Sequence, residues 1–347
     1  MNELIWTLVL MSWPLALIGL VGSLRRGTIW AASLLLAAVG GGVLMGALHL
    51  GELVWLPQWT GLADSMILLV LWAVFGGFAR AAGGARLPGT SSFSAVISGA
   101  LVGEIAATVI LTANVEDRGK AARTALAASA GGFFGRLGNP GMLLLTERDP
   151  DMLFTLVPLG LLCALVVMPG GMAAPPKGRL SVTVVAGLTA LGTLVSGPLA
   201  WAPVMAGCVG MAALAWPNRQ AIDWQMPLRA AMIAAVVVLS ATAGLPEMAA
   251  LGLEEIAEPL GAWFKPALTL AGALVAMLGD TAGAGLFADA MLDRAMDLHV
   301  AGAAAALAAG ITAGGLGPLL LARAFREGWL RWLIQIAIAV GWSALVL

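Results

Sequence analysis

Apolar residues fall along this chain in long blocks and not in alternation. Blocks near residues 4–22, 28–49, 62–79, 121–146, 151–169, 180–197, 199–216, 228–245, 300–321 and 329–347 are each long enough to cross a bilayer as a helix. Two further blocks, 91–115 and 265–291, carry an acidic residue near the middle: Glu104 in "SGALVGEIAATVIL" and Asp280 in "AMLGDTAGAGLF". A charge at the bilayer centre costs roughly 3 kcal/mol. Each half-block, about a dozen residues, is too short to cross a core about 30 Å thick. Both blocks therefore predict re-entrant helical hairpins that enter and leave on one side. The expected fold is an all-α polytopic membrane protein of about 10 transmembrane helices plus two re-entrant hairpins.

The basic residues follow this topology. With non-crossing hairpins, 14 of the 18 Lys and Arg fall on the inner side, among them Arg80, Arg86, Arg118, Lys120, Arg123, Arg323 and Arg326. Only Arg148, Lys265 and Arg294 fall outside, and Arg136 lies within the membrane. This is a strong positive-inside bias. If the first hairpin crossed, Arg80 and Arg86 would face away from Arg118, Lys120 and Arg123, and the asymmetry would collapse. The first apolar block has no basic residue before it, and Arg25 and Arg26 follow it. That reverses the signal-peptide pattern and predicts an uncleaved span, with the N-terminus and the C-terminus both outside. The acidic, amphipathic segment 247–263 predicts a helix lying on the outer surface.

Composition agrees with this picture. The chain is 60% hydrophobic and 11% charged, too few charges to solvate a soluble surface. A formal net charge of −1 and the lack of a basic patch give no nucleic-acid partner. Cys163 and Cys208 fall inside expected spans and read as packing residues, not as a disulfide or metal pair. No metal-ligand cluster, Walker loop or nucleophile elbow occurs, so neither an enzyme nor a cofactor is expected. The tryptophans, Trp13, Trp55, Trp201 and Trp263 among them, read mostly as interface anchors. His49 and His299 stand at loop ends, and Asp289, Asp293 and Asp297 read as a solvated face.

The chain also repeats itself. A shift of 176 lays Glu104 over Asp280, Gly103 over Gly279, Asp117 over Asp293 and Arg118 over Arg294. After a seven-residue insertion, "SAGG" (129–132) meets "TAGG" (312–315). Each half, 1–172 and 173–347, then holds three spans, a hairpin, a glycine-broken span (121–146 or 300–321) and a last span (151–169 or 329–347). Five crossings per half are an odd number, so the second half must be inverted. The stretch "GGFFGRLGNPG" (131–141) is a helix break within the membrane. Gly131, Gly132, Gly314 and Gly315 let the backbone unwind there, and Pro140 stops the first half-helix from continuing. Such a break is tolerated where it lines a cavity or is buried in protein.

At "AASAGGFFGRLGNPGMLLL" (127–145) and "LAAGITAGGLGPLLLARAFREG" (307–328) the chain resembles the ion transporter superfamily. It is most similar to the arsenite and sodium–proton antiporter branch, and more distantly to the divalent-anion/sodium symporters. The hairpin tips "VGEIAAT" and "LGDTAGA" stand where that family places its polar tips, with Glu104 and Asp280 in place of its Asn-rich tips. The resemblance implies that the hairpins and the last two spans of each half form a moving transport domain. It implies that the other spans form a scaffold that dimerises.

Candidate ion ligands follow from the repeat and the breaks. Glu104 and Asp280 are either a cation or proton site or structural acids. Arg136, with no counterpart in the second half, either binds an anionic substrate or serves as a counter-ion to one of the two acids. Asn139 either offers its amide oxygen or caps a half-helix. Ser129 and Thr312, with Thr281 and Thr108, either ligate an ion or bond to the preceding turn. The leading expectation is an inner-membrane secondary transporter performing proton-coupled cation antiport, Na⁺ first, by an elevator movement. A carboxylate out of water holds either a proton or a cation, and that competition couples the two fluxes. The alternative is proton- or sodium-coupled transport of a small carboxylate or oxyanion, with Arg136 and half-helix N-termini as the anion site. A third reading is a non-transporting membrane subunit or channel. Expected partners are lipid, protons, the transported ion and a second copy of the chain.

Overall fold

The computed structural model describes residues 59–84, 92–112, 115–134, 152–168, 178–196, 201–228, 230–231, 234, 259–294 and most of 304–346. The expected spans 4–22 and 28–49, and most of 228–245 and 247–263, lie outside these residues, as do Arg136, Asn139 and Gly314. The described residues form an all-α protein without a strand. The α-helices are α1 (Trp59–Ala81), α2 (Ser92–Val102), α3 (Glu104–Thr112), α4 (Arg118–Gly131), α5 (Met152–Val167), α6 (Leu180–Ser196), α7 (Trp201–Ala215), α8 (Phe264–Arg294), α9 (Leu316–Leu321) and α10 (Phe325–Val346).

Local chemistry sets the ends of these helices. The Asp117 carboxylate caps α4 by accepting from the Lys120 N–H at 3.1 Å. At the other end α4 stops being an α-helix at Gly131, and Gly132–Phe134 tighten into a 3₁₀ turn. Between α2 and α3 only Gly103 is non-helical, with φ +89, a left-handed conformation that a side chain would strain. The block 91–115 is thus two short helices, packed against each other and hinged at one glycine. The block 265–291 differs: it is helical throughout Phe264–Arg294 with no such interruption. Leu278 precedes Gly279 and Asp280, and no proline between 267 and 294 forces a stop.

Two helix ends share one geometry. After α1, the Gly83 N–H reaches the Arg80 carbonyl at 3.1 Å and the Gly84 N–H reaches Ala79 at 2.8 Å. After α9, the Arg323 N–H reaches Leu320 at 3.0 Å and the Ala324 N–H reaches Leu319 at 2.9 Å. Both are Schellman stops, whose turning residue sits in the left-handed region. At α1 that residue is Gly83, φ +97; at α9 it is Arg323, φ +54. An L side chain in that conformation costs roughly 1–2 kcal/mol.

The buried apolar side chains gather into two main cores. The first holds α2, α4 and α5, with Leu111 of α3, Leu319 of α9, Ala273, Ala284 and Ala288 of α8, Trp332 and Ala339 of α10, and Ala304 and Leu307. Much of it is alanine, including Ala121, Ala122, Ala125, Ala127, Ala128 and Ala130. The second holds α1, α6 and α7, with Met226, Ala230 and Ala234. Ile105, Ala106 and Val109 of α3 and Leu321 of α9 also belong to the second core, so α3 and α9 serve both.

One described helix, Phe325–Leu345, is long and apolar enough by itself to cross a membrane. Met66–Ala81, Leu156–Val167 and Leu180–Thr193 are apolar but shorter. On α6, Leu180, Val184, Leu188, Leu191 and Val195 are all exposed, a continuous apolar stripe at helical spacing.

Candidate functional site

Helices α2 and α4 cross with their backbones in contact. A Cβ on Gly99 would collide with the Ala128 carbonyl oxygen, and one on Gly131 with the Val96 carbonyl oxygen. Only glycine permits this approach. The contact brings the residue after Ala128 against the Gly103 hinge. Ser129 Oγ donates to Glu104 Oε2 at 3.1 Å, and both residues are buried, Glu104 completely.

Glu104 is the first residue of α3, so its carboxylate belongs to the positive end of that helix. One turn further on, Thr108 is also fully buried, and its hydroxyl has no hydrogen-bond partner among the described residues. Buried hydroxyls are rarely left so. Three oxygen-bearing side chains nominated by the sequence, Glu104, Ser129 and Thr108, therefore stand around one glycine hinge.

The repeat-matched residue Thr312 behaves differently from Ser129. Its hydroxyl donates to the Ala308 carbonyl at 2.8 Å, the bond to the preceding turn, and lies 4.0 Å from Cys163 Sγ. Gln335 of α10, also buried, donates from Nε2 to the Cys163 carbonyl at 3.2 Å. Thr312, Cys163 and Gln335 thus tie the second glycine-rich segment to α5 and α10. Gly315 follows, where a Cβ would stand 3.2 Å from Leu126 Cδ2 and 3.3 Å from Trp332 Cδ1. Gly315 therefore packs against α4.

Gly279, Asp280 and Thr281 fall on the helical backbone of α8, and the side chains of Asp280 and Thr281 lie outside the described residues. Arg136, Asn139 and Gly314 lie outside as well.

Sequence reasoning missed Gln335, although a lone amide in the apolar run "WLIQIAIAVGW" was a signal. It also missed a polar cluster formed by Arg80, Asp223, Gln225 and Arg323. Asp223 Oδ1 accepts from Arg323 Nη2 at 2.6 Å and from the Gln225 N–H at 3.2 Å, and its Oδ2 accepts from Arg80 Nη1 at 3.4 Å. Among the described residues, no group of three or more metal-ligating side chains occurs. No protein-family model matches the chain, and no curated protein matches it in sequence.

Proposed function

We propose that this chain is a multi-pass membrane protein and a secondary transporter, exchanging protons for a monovalent cation, Na⁺ first, at Glu104. The observation that carries the reading is the completely buried Glu104 carboxylate at a glycine-hinged helix start, bonded to Ser129. A carboxylate in that position needs a cation, a proton or strong donors. A group that exchanges the first two is a coupling site. Thr108 adds a buried oxygen one turn away. The cation reading gains over the anion reading because the N-terminus of α3 is already occupied by the chain's own carboxylate.

Two further observations support the architecture. Exposed apolar stripes such as that of α6 suit lipid and not water. The two cores divide the chain as an elevator requires. One gathers α2, α4, α5 and α10, with parts of α3 and α8, around Glu104 and Ser129, and the other gathers α1, α6 and α7 as a frame.

Solid-supported-membrane currents in proteoliposomes test the reading. Na⁺, Li⁺, K⁺ and a dicarboxylate are applied across a pH gradient. A Na⁺-dependent, pH-dependent current is expected. A current with the dicarboxylate alone would overturn cation exchange in favour of anion transport.

A further inference from the structure

The Asp223 cluster lies at the boundary between the two cores. Asp223 belongs to the second: its neighbours Ile222 and Met226 pack there, and a Cβ on Gly77 of α1 would stand 2.9 Å from the Asp223 carbonyl oxygen. Arg80, at the end of α1, is on the same side. Arg323 links α9 to α10 and stands between Leu321, in the second core, and Ala324, buried in the first. The Arg323–Asp223 pair is therefore a charged, directional bond at the boundary of the two cores, which also meet along α3 and α9 and where α2 approaches α6.

Its backbone marks Arg323 a second time. The left-handed turning position of a Schellman stop is by default a glycine, as α1 shows with Gly83. At α9 the chain keeps an arginine there at a conformational cost, and the side chain thus held reaches both Asp223 and Gln225. Asp223 is mostly buried, with 14% of its side chain exposed, while Arg323 retains 31%. Arg80, 52% exposed and at 3.4 Å, is the looser partner.

We propose that Arg323 and Asp223 form a latch that holds the two cores in the present arrangement, and that breaking this pair frees the first core to move against the second. Its role in transport rests on the elevator reading above; its existence as a latch does not. Arg323→Gly is the informative variant, because glycine relieves the turn while deleting the bond. Asp223→Asn removes the charge from the other side.

The test places spin labels at Gln220→Cys, on the exposed turn after α7, and Arg326→Cys, on α10. Cys163 and Cys208 are replaced by alanine, the protein is held in nanodiscs, and the inter-label distance is measured by double electron–electron resonance. The parent should show one dominant distance. Arg323→Gly and Asp223→Asn should both populate a second distance on the order of tenfold more, with Arg323→Lys between. Arg323→Gly should melt within a few degrees of the parent. A distance distribution for Arg323→Gly that superimposes on the parent overturns the latch, and so does a lowered melting temperature with an unchanged distribution, which marks a static tie. A shifted distribution in a protein that carries no current with any ion leaves the latch standing and removes the transport reading. Currents with an unmoved distribution do the reverse.

Discussion

Gly99→Ala adds one methyl where α2 meets α4, and its effect can be followed from that carbon to the candidate site. The new Cβ would overlap the Ala128 carbonyl oxygen, which is backbone and cannot rotate away. The helices must therefore separate by about 1 Å or more, and overpacking of this kind costs about 1–3 kcal/mol. The alanine core around the contact has few flexible side chains to absorb the shift, which places the cost near the upper end. Ser129 is the residue after Ala128 and would move with it. Its 3.1 Å bond to Glu104 would stretch beyond hydrogen-bonding length, leaving a buried carboxylate without that donor. For a chain of 347 residues, a loss of about 2–3 kcal/mol corresponds to a fall of about 3–4 °C in melting temperature. The assay is thermal unfolding in detergent by tryptophan fluorescence, paired with Na⁺ currents in proteoliposomes. Gly187→Ala is the control. It is helical, nothing lies within 4 Å of its added Cβ, and its melting temperature should stay level or rise slightly. If Gly99→Ala melts with the control and exchanges ions like the parent, the α2–α4 contact does not position Ser129.

Glu104→Gln should keep the fold, since an amide oxygen can still accept from Ser129, and should abolish Na⁺-dependent current; undiminished current removes Glu104 from the mechanism. Ser129→Ala should cost about 1.5–3 kcal/mol of stability and weaken Na⁺ dependence, because a buried charge loses its donor; unchanged melting and unchanged half-saturation would show that the bond matters little. Asp280→Asn should also stop exchange while the protein still reaches the membrane, and wild-type exchange would confine the chemistry to the first hairpin. Cysteines at positions 90 and 119, on either side of the block 91–115, should both react with an impermeant maleimide from the cytoplasmic side alone; labelling from opposite faces would end the hairpin and the inverted repeat together.

The parts legible in sequence are those set by local chemistry. A glycine before an acid in an apolar block marked the hinge at Gly103, and the glycine run at 131–132 marked where α4 ends. Glu104 and Ser129 were each nominated from repeat position, but their bond was not readable. It depends on Gly99 and Gly131 letting two backbones touch, a tertiary contact with no sequence spacing of its own. Thr312 shared the repeat position of Ser129 and yet turned to its own helix, because repeat matching fixes where a residue lies and not which partner is near. Arg323 gave no signal at all. A helix stop is read from glycine, and "LARAF" has none; what holds the arginine there is an aspartate 100 residues earlier in the chain.

Helix α3 turns Ile105, Ala106 and Val109 toward one core and Ala107 and Leu111 toward the other. Under the elevator proposal it is a bearing surface, and its chemistry would govern friction. Contacts between aliphatic side chains have no preferred direction, so one core could then slip past the other without a bond to break at each step. A hydrogen-bonding side chain on that face would add a detent, a position the helix would have to climb out of. Ile105, Ala106 and Val109 should thus accept exchanges among aliphatic residues and resist amides and hydroxyls; the hydroxyls that α3 does carry are Thr108, at the candidate site, and Thr112, which bonds back to the Thr108 carbonyl. Among the described residues, directional side-chain bonds stand beside this surface at Glu104, with Ser129, and near α9 at Asp223, with Arg323. If the proposed exchange takes place at Glu104, what the first residue of α3 binds the rest of that helix would carry.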